Sequence, residues 1–172
     1  MAEIKSTLDL IMEKTQNMVL TEDEKEEIRR KELNGKIKGW IQQSQDNVMS
    51  LDAIKSEIQR EGKDRQIELK KTLKKELLQH IEPDEDNTKL FQLLEEILGI
   101  NKGSITNMIN RFQEMLDKEK ISKISEMKNR LNEKGISGTA VVPNLDSDEE
   151  WNGYYLNLKK EFKKEIQLIE DN

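Results

Sequence analysis

Apolar residues along this chain recur in steps of three and four, the spacing that places side chains on one face of an α-helix. Ile4, Leu8, Ile11 and Met12 form the first such stripe. Thr21-Glu22-Asp23-Glu24 then reads as a capping box, in which the threonine hydroxyl takes the amide three residues on and Glu24 reaches back. It opens a helix expected over 22–47, striped by Leu33, Ile37, Trp40, Ile41 and Val48, with Ile28 joining less regularly. Ser50 is placed to cap a shorter helix holding Leu51, Ile54 and Ile58 and ending at Gly62. Leu69, Leu73, Leu77, Leu78 and Ile81 mark a helix over 64–81. Pro83 stops it, because the residue before a proline is pushed out of helical backbone. The run Asp84-Glu85-Asp86-Asn87 is expected to cap a short helix containing Leu90, Phe91, Leu94, Ile97 and Leu98, closed by Gly99.

The longest element follows, over 105–133, with Ser104 as its expected cap. Ile105, Met108, Ile109, Phe112, Met115 and Leu116 stripe its first half. Between Leu116 and Ile124 the stripe thins to charged residues and Ile121, before Ile124, Met127 and Leu131 resume it. Thirty helical residues span roughly 45 Å, so the fold is expected to be built around this helix. The stretch Gly135 to Leu145, with two glycines, Pro143 and a β-branched pair, breaks the pattern as a loop or brief extended segment. Asp146-Ser147-Asp148 starts the last helix, where Trp151, Tyr155, Leu158, Phe162, Ile166 and Ile169 run close to a heptad stripe. That stripe is expected to pack back along the long helix. The chain therefore reads as all-α, a bundle of about six helices with a long antiparallel, coiled-coil-like hairpin. Its organisation reads as an amino-terminal helical lobe over 1–83 and a hairpin region over 84–172 with the 135–145 loop, or as one continuous domain made of both.

Composition supports that architecture. Charged residues are 37% and aromatics 4%, against roughly 25% charged in average soluble domains. Such a chain fills narrow stripes rather than a thick core, which suits helices. The regular spacing of its apolar residues argues against disorder. A net charge of −6 disfavours a nucleic-acid partner, whose binding rests on neutralising phosphates. With no cysteine, disulfides and thiolate metal sites are excluded. No apolar run approaches the roughly 20 residues of a membrane span. The first residues lack the basic and apolar regions of a secretory signal, so the cytoplasm is the expected location.

Candidate chemistry is sparse. His80, the single histidine, has Glu76 one turn before it, which makes two metal ligands at most. The acids at 84–86 and 148–150 lack the calcium-loop pattern, since Lys89 stands where its glycine belongs. They complement helix amino termini instead. Gly35-Lys-Ile-Lys-Gly39 reads as a close helix contact or a weak point near Trp40. The basic run Lys63, Arg65, Lys70, Lys71, Lys74 and Lys75 reads as a solvated helix face. Leu69 to Leu77 resembles Leu158 to Ile166, as two surface helices with apolar residues every fourth position and lysines between would. No catalytic, cofactor-binding or metal-ligating residue is expected.

These observations favour a non-enzymatic interaction, scaffold or self-association module, with a protein partner or a second copy. Its expected surface is Trp151, Tyr155, Leu158 and Phe162 on the last helix with Ile136, Val141 and Val142 in the loop. One alternative is DNA binding by a degenerate helix-turn-helix over 90–112. Another is an enzyme of unknown class with a pocket lined by the 135–145 loop.

Overall fold

Thr21 caps the first helix with both halves of its box. The Glu24 amide donates to Thr21 Oγ1 at 3.2 Å, and the Thr21 amide to Glu24 Oε2 at 2.8 Å. The helix, α1, spans Glu22–Gln45 and buries Leu33, Ile37, Trp40, Ile41 and Ser44. The computed structural model describes residues 21–170, so the stripe of Ile4, Leu8, Ile11 and Met12 lies outside the described residues. α1 ends before 47, because the chain reverses through Asn47 in left-handed backbone at φ 57°. Val48 is thereby carried off the stripe and is 76% exposed.

Ser50 caps α2, Leu51–Arg60, by accepting the Ala53 amide at 3.2 Å, and Ile54 and Ile58 face inward. Gly62 does not close this helix; it precedes the next, α3, Lys63–His80, and its carbonyl accepts the Gln66 amide. α4, Thr88–Leu98, ends at Gly99 in left-handed backbone, φ 68°. There the Gly99 amide reaches Glu95 O at 3.1 Å and the Ile100 amide reaches Leu94 O at 3.0 Å, a closure that favours glycine because a side chain clashes in that conformation.

The long helix, α5, runs Gly103–Glu133 over 31 residues, about 46 Å at 1.5 Å per residue. Ser104 lies inside it and is not its cap. Asn101 does that work, its Oδ1 accepting the Gly103 amide at 2.6 Å, a short-range bond typical of Asn two residues upstream. Past α5 a turn brings the Val141 amide to Gly138 O, and a single 3-10 turn occupies Leu145–Ser147. α6 then spans Glu149–Glu170, capped by Asp148 Oδ1, which accepts the Trp151 amide at 2.9 Å.

All six α-helices contribute to one buried cluster, and no strand occurs among the described residues. Ile37, Ile54, Leu73, Leu93, Ile105 and Ile166 are wholly or almost wholly excluded from water. Each such side chain contributes about 1.5–3 kcal/mol of transfer free energy. The hub is α3 and not the long helix: α3 touches α1, α2, α4 and α6, whereas α5 packs chiefly on α6. The reason is arc. Leu69, Leu73 and Leu77 face one way and Leu78 another, so α3 presents apolar surface on two sides. The two similar segments, 69–77 and 158–166, lie on helices that pack against each other; their fourth-position apolar residues are buried while Lys70, Lys71, Lys75, Lys160 and Lys164 stay exposed, as in surface helices with an inward stripe.

Candidate functional site

Along α5 and α6, partners pair in opposite order. Arg111 bonds Glu165, the Tyr154 hydroxyl donates to Met115 O at 3.4 Å, and Lys123 bonds Glu150. Between these polar contacts, Phe112 meets Phe162 edge-on at 5.9 Å and Tyr155 at 6.5 Å, the arrangement that ring quadrupoles favour. On one flank the two helices leave a shallow groove of about 200 Å³. Met108, Met115, Leu158 and Phe162 form its floor, and Arg111, Glu161 and Glu165 its rim. Met115 is 41% exposed there. An apolar, methionine-containing floor with a charged rim suits an adaptable side-chain contact.

The residues singled out in the sequence divide by depth. Leu158 and Phe162 are buried in the chain's own core and reach the groove only by their edges. Tyr155 and Trp151 are half-buried, and Trp151 stacks on Tyr154 at 6.4 Å. Val141 is half-buried, Ile136 is exposed, and Val142 is 84% exposed. Ile121 on α5 and Leu156 on α6 are exposed as well. The last two were not singled out, because each falls off its helix's stripe.

Opposite the groove, α6 is fastened to the turn after α3. Lys159 Nζ lies 2.9 Å from Glu82 Oε2 and 3.2 Å from Asp84 Oδ1. Lys163 Nζ lies 2.5 Å from Glu82 Oε1 and donates to the carbonyls of Gln79 and Ile81 at 3.0 and 2.8 Å. It thus satisfies carbonyls at the carboxyl end of α3, where a cation also meets the negative end of the helix dipole. Burial pushes the Glu82 carboxyl up, but hydrogen bonds from Lys163 and Lys159 outweigh it and hold the group below its usual range. Asp84 behaves likewise: burial opposes, and the Tyr155 hydroxyl with Lys159 prevails. Burial alone would lower Lys159, yet Glu82 and Asp84 hold it above its ordinary value. The Asp84 bond pushes the Tyr155 phenol up. Glu82 is engaged by Lys159 and Lys163, and Asp84 by Lys159 and the Tyr155 hydroxyl, so the cluster clamps α6 to this turn.

Asn87 holds this turn in shape. Its Oδ1 accepts the Glu82 amide at 3.1 Å, and its Nδ2 donates to the carbonyls of Glu82 and Glu85 at 2.6 and 3.0 Å. The asparagine looks back at the turn instead of capping α4; Asp86 Oδ1 takes the Thr88 amide at 2.9 Å. A second clamp sits at the other end of α6. Lys123 is only 5% exposed, 3.3 Å from Asp148 and 3.5 Å from Glu126, and bonded to Glu150. Glu150 foremost holds the Lys123 ammonium above its usual value. This ion cluster occupies the stretch where the α5 stripe thins.

Another concavity lies between α1 and α2. It is open to solvent, has a volume of about 690 Å³ and is lined by Gly35, Lys36, Gly39, Trp40, Met49 and Glu57 among others. Lys36 sits over the Trp40 ring at 5.1 Å and 3.0 Å from Glu61. Gly35 and Gly39 make no close helix contact among the described residues: a Cβ added to either would meet nothing within 4 Å.

Other expected sites are occupied by ordinary structure. Over 90–112, Ile105 and Phe112 are buried, Lys102 is 3.0 Å from Glu95, and Arg111 is taken by Glu165. Arg65 in the basic run pairs with Glu61 at 3.4 Å. His80 Nδ1 lies 2.7 Å from its own helix's Glu76 O. No group of three or more His, Asp or Glu that could hold a metal occurs among the described residues, and no helix among them is long and apolar enough to cross a membrane. No protein-family model, no curated protein and no solved structure matches this chain.

Proposed function

We propose that this chain is a non-enzymatic docking protein whose working surface is the flank of α5 and α6, where the helix of a partner chain seats in the methionine groove. The carrying observation is the exposure of Met115 on a groove floor it shares with Met108, Leu158 and Phe162. The exposure of Ile136 and Val142 in the connection between the two helices adds apolar surface beside this pair. Grooves of this kind receive amphipathic helices through a few apolar anchors, while rim charges set register. Arg111, Glu161 and Glu165 fit the rim role.

In this reading α5 and α6 act as an antiparallel, coiled-coil-like hairpin, which the opposite order of the 111–165 and 123–150 pairs supports. The shared buried cluster favours one continuous domain over separate units at 1–83 and 84–172. A cytoplasmic setting suits a chain without cysteine. Against catalysis stands the engagement of the part-buried Glu82 and Asp84 by Lys159 and Lys163, which occupies carboxylates that would otherwise be candidate general bases.

The test compares wild type with Met115→Glu. Met115 faces solvent, so the charge should leave helix content and unfolding midpoint nearly unchanged. Affinity purification from the native cell should lose a defined protein, and light scattering shows whether that protein is another copy of the chain. Identical co-purifying proteins and identical mass for both forms would sink the proposal.

A further inference from the structure

The groove between α5 and α6 carries opposite charge on its two walls. α5 contributes Arg111 beside Met108 and Met115, and α6 contributes Glu161 and Glu165 beside Leu158 and Phe162. Among the described residues, no acid lines it from α5 and no base from α6. Arg111 and Glu165 bond across the groove, yet their side chains stay 58% and 41% exposed. Each therefore keeps capacity for a further partner, since a guanidinium carries five donors and a carboxylate has room for more than one. A surface with an apolar floor and the two signs of charge on separate walls is complementary to itself when a two-fold axis exchanges the walls.

We propose that the occupant of this groove is a second copy of the chain, related by a two-fold axis that runs along the groove. The proposal rests on the docking reading and names its partner. Rotation about that axis sets α5 of each copy against α6 of the other. It keeps every residue at its own height along the groove. Arg111 then meets Glu165 of the second copy at the height where it already meets its own Glu165. The two arginines and two glutamates close a ring of alternating charge around the axis. Phe112 and Phe162 face each other at 5.9 Å, so Met115, three residues on, stands level with the stretch from Leu158 to Glu161. In the pair it is covered by that stretch of the second copy. Direction is the second argument. In an antiparallel hairpin this axis gives every helix of the four antiparallel neighbours, the arrangement of an up-and-down bundle. A two-fold across the groove would instead set α5 on α5 and bring the two acidic α6 walls together, which like charges oppose. Burial of both Met115 side chains supplies affinity, and the charge ring sets register.

The chain has no cysteine, so single thiols report the packing in the full chain. Met115→Cys and Glu161→Cys, both at exposed positions, are placed in separate chains and mixed under mild oxidation. A disulfide joining one chain of each kind should form roughly tenfold faster than either variant links to itself, because the pair holds these two thiols close. In light scattering wild type should show twice the chain mass and Arg111→Glu the single mass. Arg111→Glu with Glu165→Arg should return to twice the mass, with circular dichroism equal throughout. A foreign partner would not be regained by that double exchange. A single-chain mass for wild type, with a different protein lost on Met115→Glu, overturns this proposal and leaves the docking groove standing. A single-chain mass with no protein lost overturns both. A dimer that Arg111→Glu leaves whole, that the double exchange does not restore, or that links fastest as Met115→Cys alone, overturns the axis and with it the proposal.

Discussion

Replacing Asn87 with alanine removes three hydrogen bonds from a side chain that is 6% exposed. Each is worth about 1 kcal/mol net, and a buried partner left unsatisfied costs more. Glu85 is exposed, so water can replace its bond, while the amide and carbonyl of half-buried Glu82 are less easily rescued. The expected loss is about 2–3 kcal/mol. No capping energy enters, because Asp86 and not Asn87 serves the first turn of α4. For a chain of this size about 1 kcal/mol moves the midpoint by roughly 2–4 °C, so thermal unfolding followed at 222 nm should shift down by about 4–12 °C. The effect should spread along the clamp. Glu82 and Asp84 position Lys159, Lys163 and Tyr155, so amide exchange should quicken in the middle of α6 before it does in α1. Asn87→Asp keeps the acceptor but loses both donors and adds charge beside two carboxylates, and should cost at least as much. A loss below about 0.5 kcal/mol for Asn87→Ala, with α6 exchange unaltered, would refute the assignment of this turn to Asn87.

Stability should be flat from about pH 5 to pH 10 and fall on both sides. Glu82, Asp84, Asp148 and Glu150 are held below their reference values of 4.5 and 3.8, so their contribution is complete above those values and disappears as pH drops through the lower folded ones. Lys159 and Lys123 are held above 10.5, so theirs is complete below that value and disappears at still higher pH. Urea midpoints across pH measure this, and a slope beginning at pH 7 would contradict it. Gly99→Ala should cost about 1 kcal/mol, read from urea unfolding, because alanine must enter left-handed backbone at φ 68°; an unchanged midpoint would be inconsistent with that closure. Lys123→Ala should raise amide exchange through the first turns of α6, whereas Ile121→Ala, at an exposed site two residues away, should leave it as it is.

What the sequence made legible was whatever local chemistry decides. The capping box at Thr21, the Ser50 cap, the Gly99 closure and the α6 stripe depend on residues within a few positions of one another, and each stands in the structure. Elements whose role depends on distant partners were not legible. Lys123 lies on the continuation of the Phe112–Leu116 stripe, seven residues past Leu116, and that position was the available signal. A lysine there reads as a gap until Asp148 and Glu150 arrive from α6. Asn87 reads as a cap by type, but its bonds run backward to the backbone of Glu82 and Glu85 in the turn before α4. The centrality of α3 was hidden by its lysines, which conceal apolar surface on two sides. The candidate groove was only half legible: the α6 stripe named Leu158 and Phe162, yet stripe residues are spent on the core, and the exposed edge comes from Met115, which periodicity had assigned inward.

The central claim, that α5 and α6 present a docking groove, is tested most directly by placing a charge on the groove's apolar floor and watching binding apart from folding. Met115→Glu and wild type should unfold at midpoints within about 0.5 kcal/mol of each other, as exposed positions do. Only wild type should retain its co-purifying partner, or its dimer mass in light scattering. Equal retention by both forms, with the fold intact, would contradict the account.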